Sequence, residues 1–207
     1  MIFWAAFTKL ADSNFTMPLA ALLAVWLASA RAWKPFFQWS FLFGSGIVLV
    51  VATKIAYIGW GAGIEALDFT GISGHSMRAT AIAPVLILLL LQNQTRKTQQ
   101  IGLLVGLGFG IAIGISRLAI HVHSVSEVIS GCVLGAIVSL SFAYLIRKQV
   151  ITFDRKLLVI GVVALLPILT LKPAPTDSWM ESVAYYLSGK ERPAKTTNLE
   201  SVTTEYH

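Results

Sequence analysis

The sequence predicts an all-α integral membrane protein built as a six-transmembrane-helix bundle, and three observations predict it. The chain is 56% hydrophobic and only 13% charged, with a mean hydropathy of +0.72, well outside the composition of soluble domains. Six apolar runs stand out, at residues 15–30, 36–60, 74–91, 101–120, 125–146 and 157–171. The basic residues collect in alternate connections between these runs. Arg31 and Lys34 lie in the first, Arg96 and Lys97 in the third, and Arg147, Lys148, Arg155 and Lys156 in the fifth.

A bilayer core needs about 20 helical residues, with roughly 17–25 tolerated. The fourth and fifth runs meet that length outright, while the first and last are short and lean on their flanks. A soluble reading would need six nearly charge-free helices in one domain of 207 residues, leaving little polar surface for water. Basic connections favour the cytoplasmic side, so the odd connections are assigned there. The even connections and both termini then face the periplasm or cell exterior. The expected place is a multi-pass one in a bacterial-type inner (plasma) membrane. This topology accounts for the net charge of +6, and no nucleic-acid partner is expected.

Residues 1–12 are aromatic but too brief to span, and Trp4 suits an anchor in the outer interface; a frayed terminus is the alternative. With no basic leader region and no small-residue cleavage pattern, the first run is expected to be a retained span. It ends at Arg31-Ala-Trp-Lys-Pro35, and Pro35 opens the second span where a missing N–H matters least. That span carries Lys54 about two turns before its outer end. Lys54 either snorkels to the interface or reaches into an outward-facing anion site. Gly59, Gly61 and Gly63 break the helix, and Glu65 and Asp68 follow in the outer loop.

The third span begins at Gly74 or His75. Ser73 and Gly74 therefore sit at a helix N-terminus, where free N–H groups and the positive dipole end suit an anion; a simple capping turn is the alternative. His75 and Arg78 are three apart and share a helical face. Glycines recur every fourth residue at 102, 106, 110 and 114, and again at 131 and 135. This spacing lets helices approach closely, either within the chain, which is the expectation, or in a homodimer. Cys132 has no partner cysteine and suits packing. Residues 1–172 thus form one membrane domain. Residues 173–207 form a polar, partly disordered tail, in which 179–187 suit a short interfacial helix.

Two polar clusters stand against this apolar background, Ser73-Gly74-His75-Ser76-Met77-Arg78 and the stretch 115–127, which holds Arg117, His121, His123 and Glu127. Ionisable residues at a membrane boundary are costly and by default mark a functional site, here an outward-facing active site. Arg117 offers a planar fork for phosphate and Lys54 a point charge. Ser73, the Gly74 N–H and the helix dipole add directed donors, the kind of fixed array that stabilises a transferring phosphoryl group. A neutral histidine can attack phosphorus. His123 is the better candidate because Glu127, four residues on, can fix its tautomer. His75 is then the general acid for the leaving oxygen. His121 points to another side and suits a structural or interfacial place.

These residues carry a resemblance. Ser73-Gly74-His75-Ser76 resembles the Pro-Ser-Gly-His signature of the phosphatidic acid phosphatase type 2 family of membrane phosphatases. Ser116-Arg117, five residues, His123, three residues and Glu127 are similar to its Ser-Arg-x5-His-x3-Asp signature. Lys54 matches the lysine of the first motif, Lys-x6-Arg-Pro. The resemblance covers about residues 54–131. It implies a six-span bundle with His123 as nucleophile, Glu127 as its orienter, His75 as acid, and Lys54, Ser73, Gly74 and Arg117 as phosphate ligands. Ile72 stands in place of the proline, Glu127 in place of the aspartate, and Gly61 and Ala62 in place of Arg-Pro. One phosphate-binding cation is therefore missing, and Arg78 is expected to supply it.

The expected activity is a metal-independent lipid phosphatase acting on a phosphatidate-type phosphomonoester or a polyprenyl diphosphate such as undecaprenyl diphosphate, with no cofactor. The partners are then the bilayer and a membrane lipid phosphate. A phosphotransferase using the same residues, or a binding or transport protein on a scaffold that has lost catalysis, are the alternatives.

Overall fold

The computed structural model describes residues 2–149, 151, 155–170 and 176–190. Among these the chain is helical, with no strand and only an isolated bridge between Ile64 and Phe69. In chain order the helices are α1 (Ile2–Thr8), α2 (Ser13–Ser29), α3 (Trp33–Trp60), α4 (Gly74–Leu90), α5 (Arg96–Ala119), α6 (Val125–Ile146), α7 (Arg155–Leu165) and α8 (Thr176–Ser188). The polar tail expected over 173–207 lies outside the described residues at 173–175 and 191–207.

Helix ends follow local chemistry. The Thr95 hydroxyl caps α5 by accepting from the Thr98 N–H at 3.2 Å. Ser124 and Glu127 form a reciprocal capping box at the start of α6. The α3 helix closes at Gly61, whose φ of 71° is left-handed and whose N–H returns to the Tyr57 carbonyl at 2.8 Å, a glycine C-cap.

Four helical stretches are long and apolar enough to cross a membrane: Phe3–Ser29, Trp33–Trp60, Arg96–Ala119 and Val125–Ile146. Two further helices, Gly74–Leu90 and Lys156–Thr170, are apolar but shorter, so the expected six spans have four of full length among the described residues. The first full-length stretch includes α1 and the turn Lys9–Ala11, a segment expected to lie apart in the interface. Outward faces are apolar: Phe41 is 73% exposed and Leu104 67%. A surface of that kind needs lipid rather than water against it, and the chain is a membrane protein.

The short α4 is central. It is buried along its length, from Gly74 and Met77 through Ala81 to Leu89, and it packs mainly on α5 and α6. The glycine stripe makes this possible. A Cβ on Gly106 would lie 2.4 Å from the Pro84 Cα, and one on Gly135 would lie 2.4 Å from the Met77 carbonyl oxygen. The glycines at 102, 106, 110 and 114 are thus taken up inside one chain, facing α4 and α6. Trp39 joins α3 to α2 through an indole bond to the Ala20 carbonyl at 3.0 Å and meets the Phe142 ring edge-on at 5.5 Å.

The third and fifth connections meet at one end. Arg96 donates to the Arg147 carbonyl at 3.2 Å, and Gln92 donates to the Ile151 carbonyl at 2.5 Å. The chain order puts the starts of α2, α4 and α6 and the ends of α3 and α5 at the other end.

Candidate active site

At that second end lies a cavity of about 610 Å³. Lys54 enters it from α3, Gly74, His75 and Arg78 from α4, Arg117 from α5, His123 from the α5–α6 connection and Glu127 from α6. Two motifs separated by some forty residues of sequence therefore meet in one space. The rest of the wall is largely apolar, with Met17, Ile47, Val50, Val51, Val122 and Met180 among its residues.

His123 and Glu127 form a tight pair, with Nδ1 2.6 Å from Oε2. The carboxylate also accepts from the Ser124 N–H at 3.3 Å and, at Oε1, from the Thr70 N–H at 2.9 Å and the Thr70 hydroxyl. This arrangement puts the proton on Nδ1 and leaves Nε2 with its lone pair. Burial pushes the His123 pKa down; the Glu127 carboxylate opposes this, and the Lys54 and Arg117 charges add to it. Burial therefore favours the neutral ring.

The loop before α4 is stitched to α6. The Ser73 N–H donates to the Glu127 carbonyl at 3.1 Å, and the Ser126 hydroxyl donates to the Leu67 carbonyl at 2.8 Å. The Ile72 N–H meets the Thr53 hydroxyl at 3.2 Å. Gly71, at φ 148°, lets this loop lie against Lys54, where a Cβ would come within 3.0 Å of the lysine side chain.

Two expected phosphate ligands are placed differently. Ser73 is fully buried, with its hydroxyl accepting from Ser76 at 3.1 Å, and it is absent from the cavity wall. It lies between α4 and α6, where Gly131 presses on its carbonyl. Arg78 borders the cavity but is 7% exposed. Its Nε donates to the Thr16 hydroxyl at 2.8 Å and its Nη2 to the Ala11 carbonyl at 3.1 Å. Those bonds tie it to α2 and to the turn before it, while its Nη1 lies beside Gly74, where a Cβ would come within 2.9 Å of it.

A Klebsiella pneumoniae protein described as "Uncharacterized 22.5 kDa protein in cps region" is 35% identical over 209 residues, covering 95% of this chain and 97% of its own length. The PAP2 superfamily matches residues 52–151, which include both histidine motifs and the helices that carry them. The chain belongs to the PAP2 superfamily. No solved structure matches it. At the level of the family it is a phosphatase acting on phosphate esters.

Membership gives the departures a structural meaning. The position of the PAP2 first-motif arginine is Gly61, the left-handed cap of α3, where a side chain would be strained. Its neighbour is Ala62, whose N–H closes the same turn on the Ala56 carbonyl at 3.3 Å. Here those positions end a helix and do not face the cavity.

Three groups were invisible to motif reading. Thr70 supports Glu127 from an irregular loop. The Asp12 carboxylate meets His75, with Oδ1 2.9 Å from Nε2. Thr176, Trp179 and Met180 of α8 wall the cavity; only 179–187 was expected to be helical there, and only as an interfacial helix. The single sequence signal among these was the aromatic-rich pattern of α8. His121 takes a left-handed φ of 55° in the turn after α5 and is not part of the cavity wall. Among the described residues, no group of three or more His, Cys, Asp or Glu is arranged to hold a metal.

Proposed function

We propose that this PAP2 protein is a metal-independent lipid phosphatase that works through a phosphohistidine. The observation that carries the reading is the shared cavity. Both candidate histidines border it together with Lys54 and Arg117, and the His123 ring is tied through Nδ1 to Glu127. His123 attacks phosphorus through Nε2, Glu127 steadies the developing imidazolium, and His75 protonates the leaving oxygen. Lys54, Arg117 and the Gly74 N–H hold the phosphate oxygens. A fixed cationic array of this kind favours the transition state, where charge is most concentrated.

A lipid substrate is supported by the apolar part of the wall. Met17, Ile47, Val50 and Val51 lie beside the cationic groups, so a phosphate headgroup and an attached hydrocarbon chain both find complementary surface. The basic connections at the far end support a cytoplasmic position for that end. The cavity then faces the periplasm or exterior of a bacterial-type inner membrane. The substrate is a phosphomonoester such as phosphatidate or a polyprenyl diphosphate.

The test is phosphate release by protein purified in detergent, with EDTA present. The substrates are phosphatidate, phosphatidylglycerol phosphate and undecaprenyl diphosphate, and His123→Ala is the control. Release that survives EDTA and disappears in the variant supports the reading and ranks the lipids. Release abolished by EDTA, or undiminished in His123→Ala, refutes it.

A further inference from the structure

We propose that Asp12 is a positioning residue for the acid His75, an assignment that rests on the phosphatase reading above. Asp12 lies forty residues before the family-matched region, so no motif marks it. It occupies the N-cap position of α2, where an aspartate ordinarily accepts from the first free amides. Here it makes no such bond. Its carboxylate instead reaches across to α4 and meets His75 Nε2 at 2.9 Å.

The turn that carries Asp12 is held from both sides. The Thr16 hydroxyl donates to the Asp12 carbonyl at 2.8 Å, and Arg78 donates to that same Thr16 oxygen at 2.8 Å. Arg78 also donates to the carbonyl of Ala11, the residue before Asp12, at 3.1 Å. Since Arg78 lies one turn after His75 on α4, one helix carries the histidine and grips the segment that holds its partner. Asp12 is not part of the cavity wall, whereas His75 is, so Asp12 acts through the ring and not on substrate.

Each histidine of the site then has its own carboxylate: His123 has Glu127 on Nδ1, and His75 has Asp12 on Nε2. A carboxylate on one ring nitrogen selects the tautomer and raises the basicity of the other. For His75 the proton on Nε2 is held by Asp12, which assigns Nδ1 to proton exchange. As the His123 Nε2 lone pair forms the N–P bond, the P–O bond to the leaving group breaks. Its electron pair stays on the leaving oxygen, which takes the Nδ1 proton of the His75 imidazolium and leaves the neutral ring protonated at Nε2. In the second step His75 Nδ1 receives a proton from the attacking water, the new P–O bond forms, and the N–P pair returns to His123.

The experiment compares two leaving groups on the full chain in detergent. Phosphatidate expels an alkoxide and needs the proton, whereas p-nitrophenyl phosphate expels a stable phenolate and hardly does. Because the second step is common to both esters, leaving-group release is read in the first turnover, where Asp12→Asn is expected to slow it on phosphatidate by about 10–100-fold while changing it on the aryl ester by less than about threefold. His75→Ala should show the same selectivity, and the double variant should be no worse than His75→Ala. Equal losses on both substrates, or none on either, would overturn the proposal. A nitrogen-15 histidine spectrum of the wild type gives a readout independent of any variant's folding. A His75 ring protonated at Nε2 supports the assignment, and a neutral ring protonated at Nδ1 alone refutes it. Wild-type protein that releases phosphate from neither ester nor from undecaprenyl diphosphate would instead bring down the phosphatase reading, and this proposal with it.

Discussion

The Nδ1 atom of His123 lies 2.6 Å from Oε2 of Glu127, and Oε1 of the same carboxylate holds the N–H and hydroxyl of Thr70. One side chain thus orients a ring on the α5–α6 connection and anchors the loop that leads into α4. Glu127→Gln preserves the shape but puts an amide where only acceptors serve. On the proposed mechanism, turnover falls roughly 10³–10⁴-fold with a much smaller change in KM. Steady-state phosphate release measures this, and turnover within threefold of wild type would falsify the orienting role.

The depressed pKa of His123 gives a prediction with a definite sign. Burial disfavours the imidazolium, and Lys54 and Arg117 push in the same direction, against Glu127. The neutral, nucleophilic form therefore persists below the ordinary histidine value of about 6.5, and is lost only in more acid solution. An NMR titration should place the His123 midpoint below that value. Arg117→Ala removes a lowering charge and should move it up, whereas Glu127→Gln removes a raising partner and should move it down. A wild-type midpoint at or above 6.5 would contradict the account.

Arg78 and Arg117 should separate in their kinetics. Arg117 borders the cavity and also donates to the Thr8 hydroxyl at 3.2 Å. Arg117→Ala is expected to raise KM by about 10–100-fold, the range of a charge-assisted bond. Arg78 bonds Thr16 and Ala11 inside the protein. Arg78→Ala should lower thermal stability and turnover while leaving KM within about threefold. A purely KM-type defect in Arg78→Ala would restore it as a phosphate ligand.

Two glycines two positions apart on α5 offer a packing test. A Cβ on Gly106 would collide with the Pro84 backbone at 2.4 Å, while one on Gly108 meets nothing within 4 Å. Gly106→Ala should destabilise the bundle by about 1–3 kcal/mol, because backbone cannot step aside. Gly108→Ala should be neutral, or stabilising by about 0.5–1 kcal/mol through helix propensity. Thermal unfolding in detergent distinguishes them, and equal effects would show that the stripe does not set the α4–α5 distance.

Much of this protein was legible in its sequence for a local reason. Apolar length marks a membrane helix, charge alternation marks its ends, and a spacing of four places Glu127 beside His123 on the first turn of α6. The glycine period similarly announced close helix contacts, and the contacts within the chain use it. What the sequence by itself determined was the helical membrane architecture, the two histidine clusters and their family.

Only the tertiary structure decided the rest. Thr70 meets Glu127 across 57 residues and Asp12 meets His75 across 63; such pairs have no period and are set by how helices pack. Packing also turned Arg78 toward α2, buried Ser73 between α4 and α6, and brought α8 to the cavity wall. Side-chain type and spacing say which groups can serve a phosphate, but a side chain's direction depends on which neighbour fills the space beside it, and that neighbour comes from elsewhere in the chain.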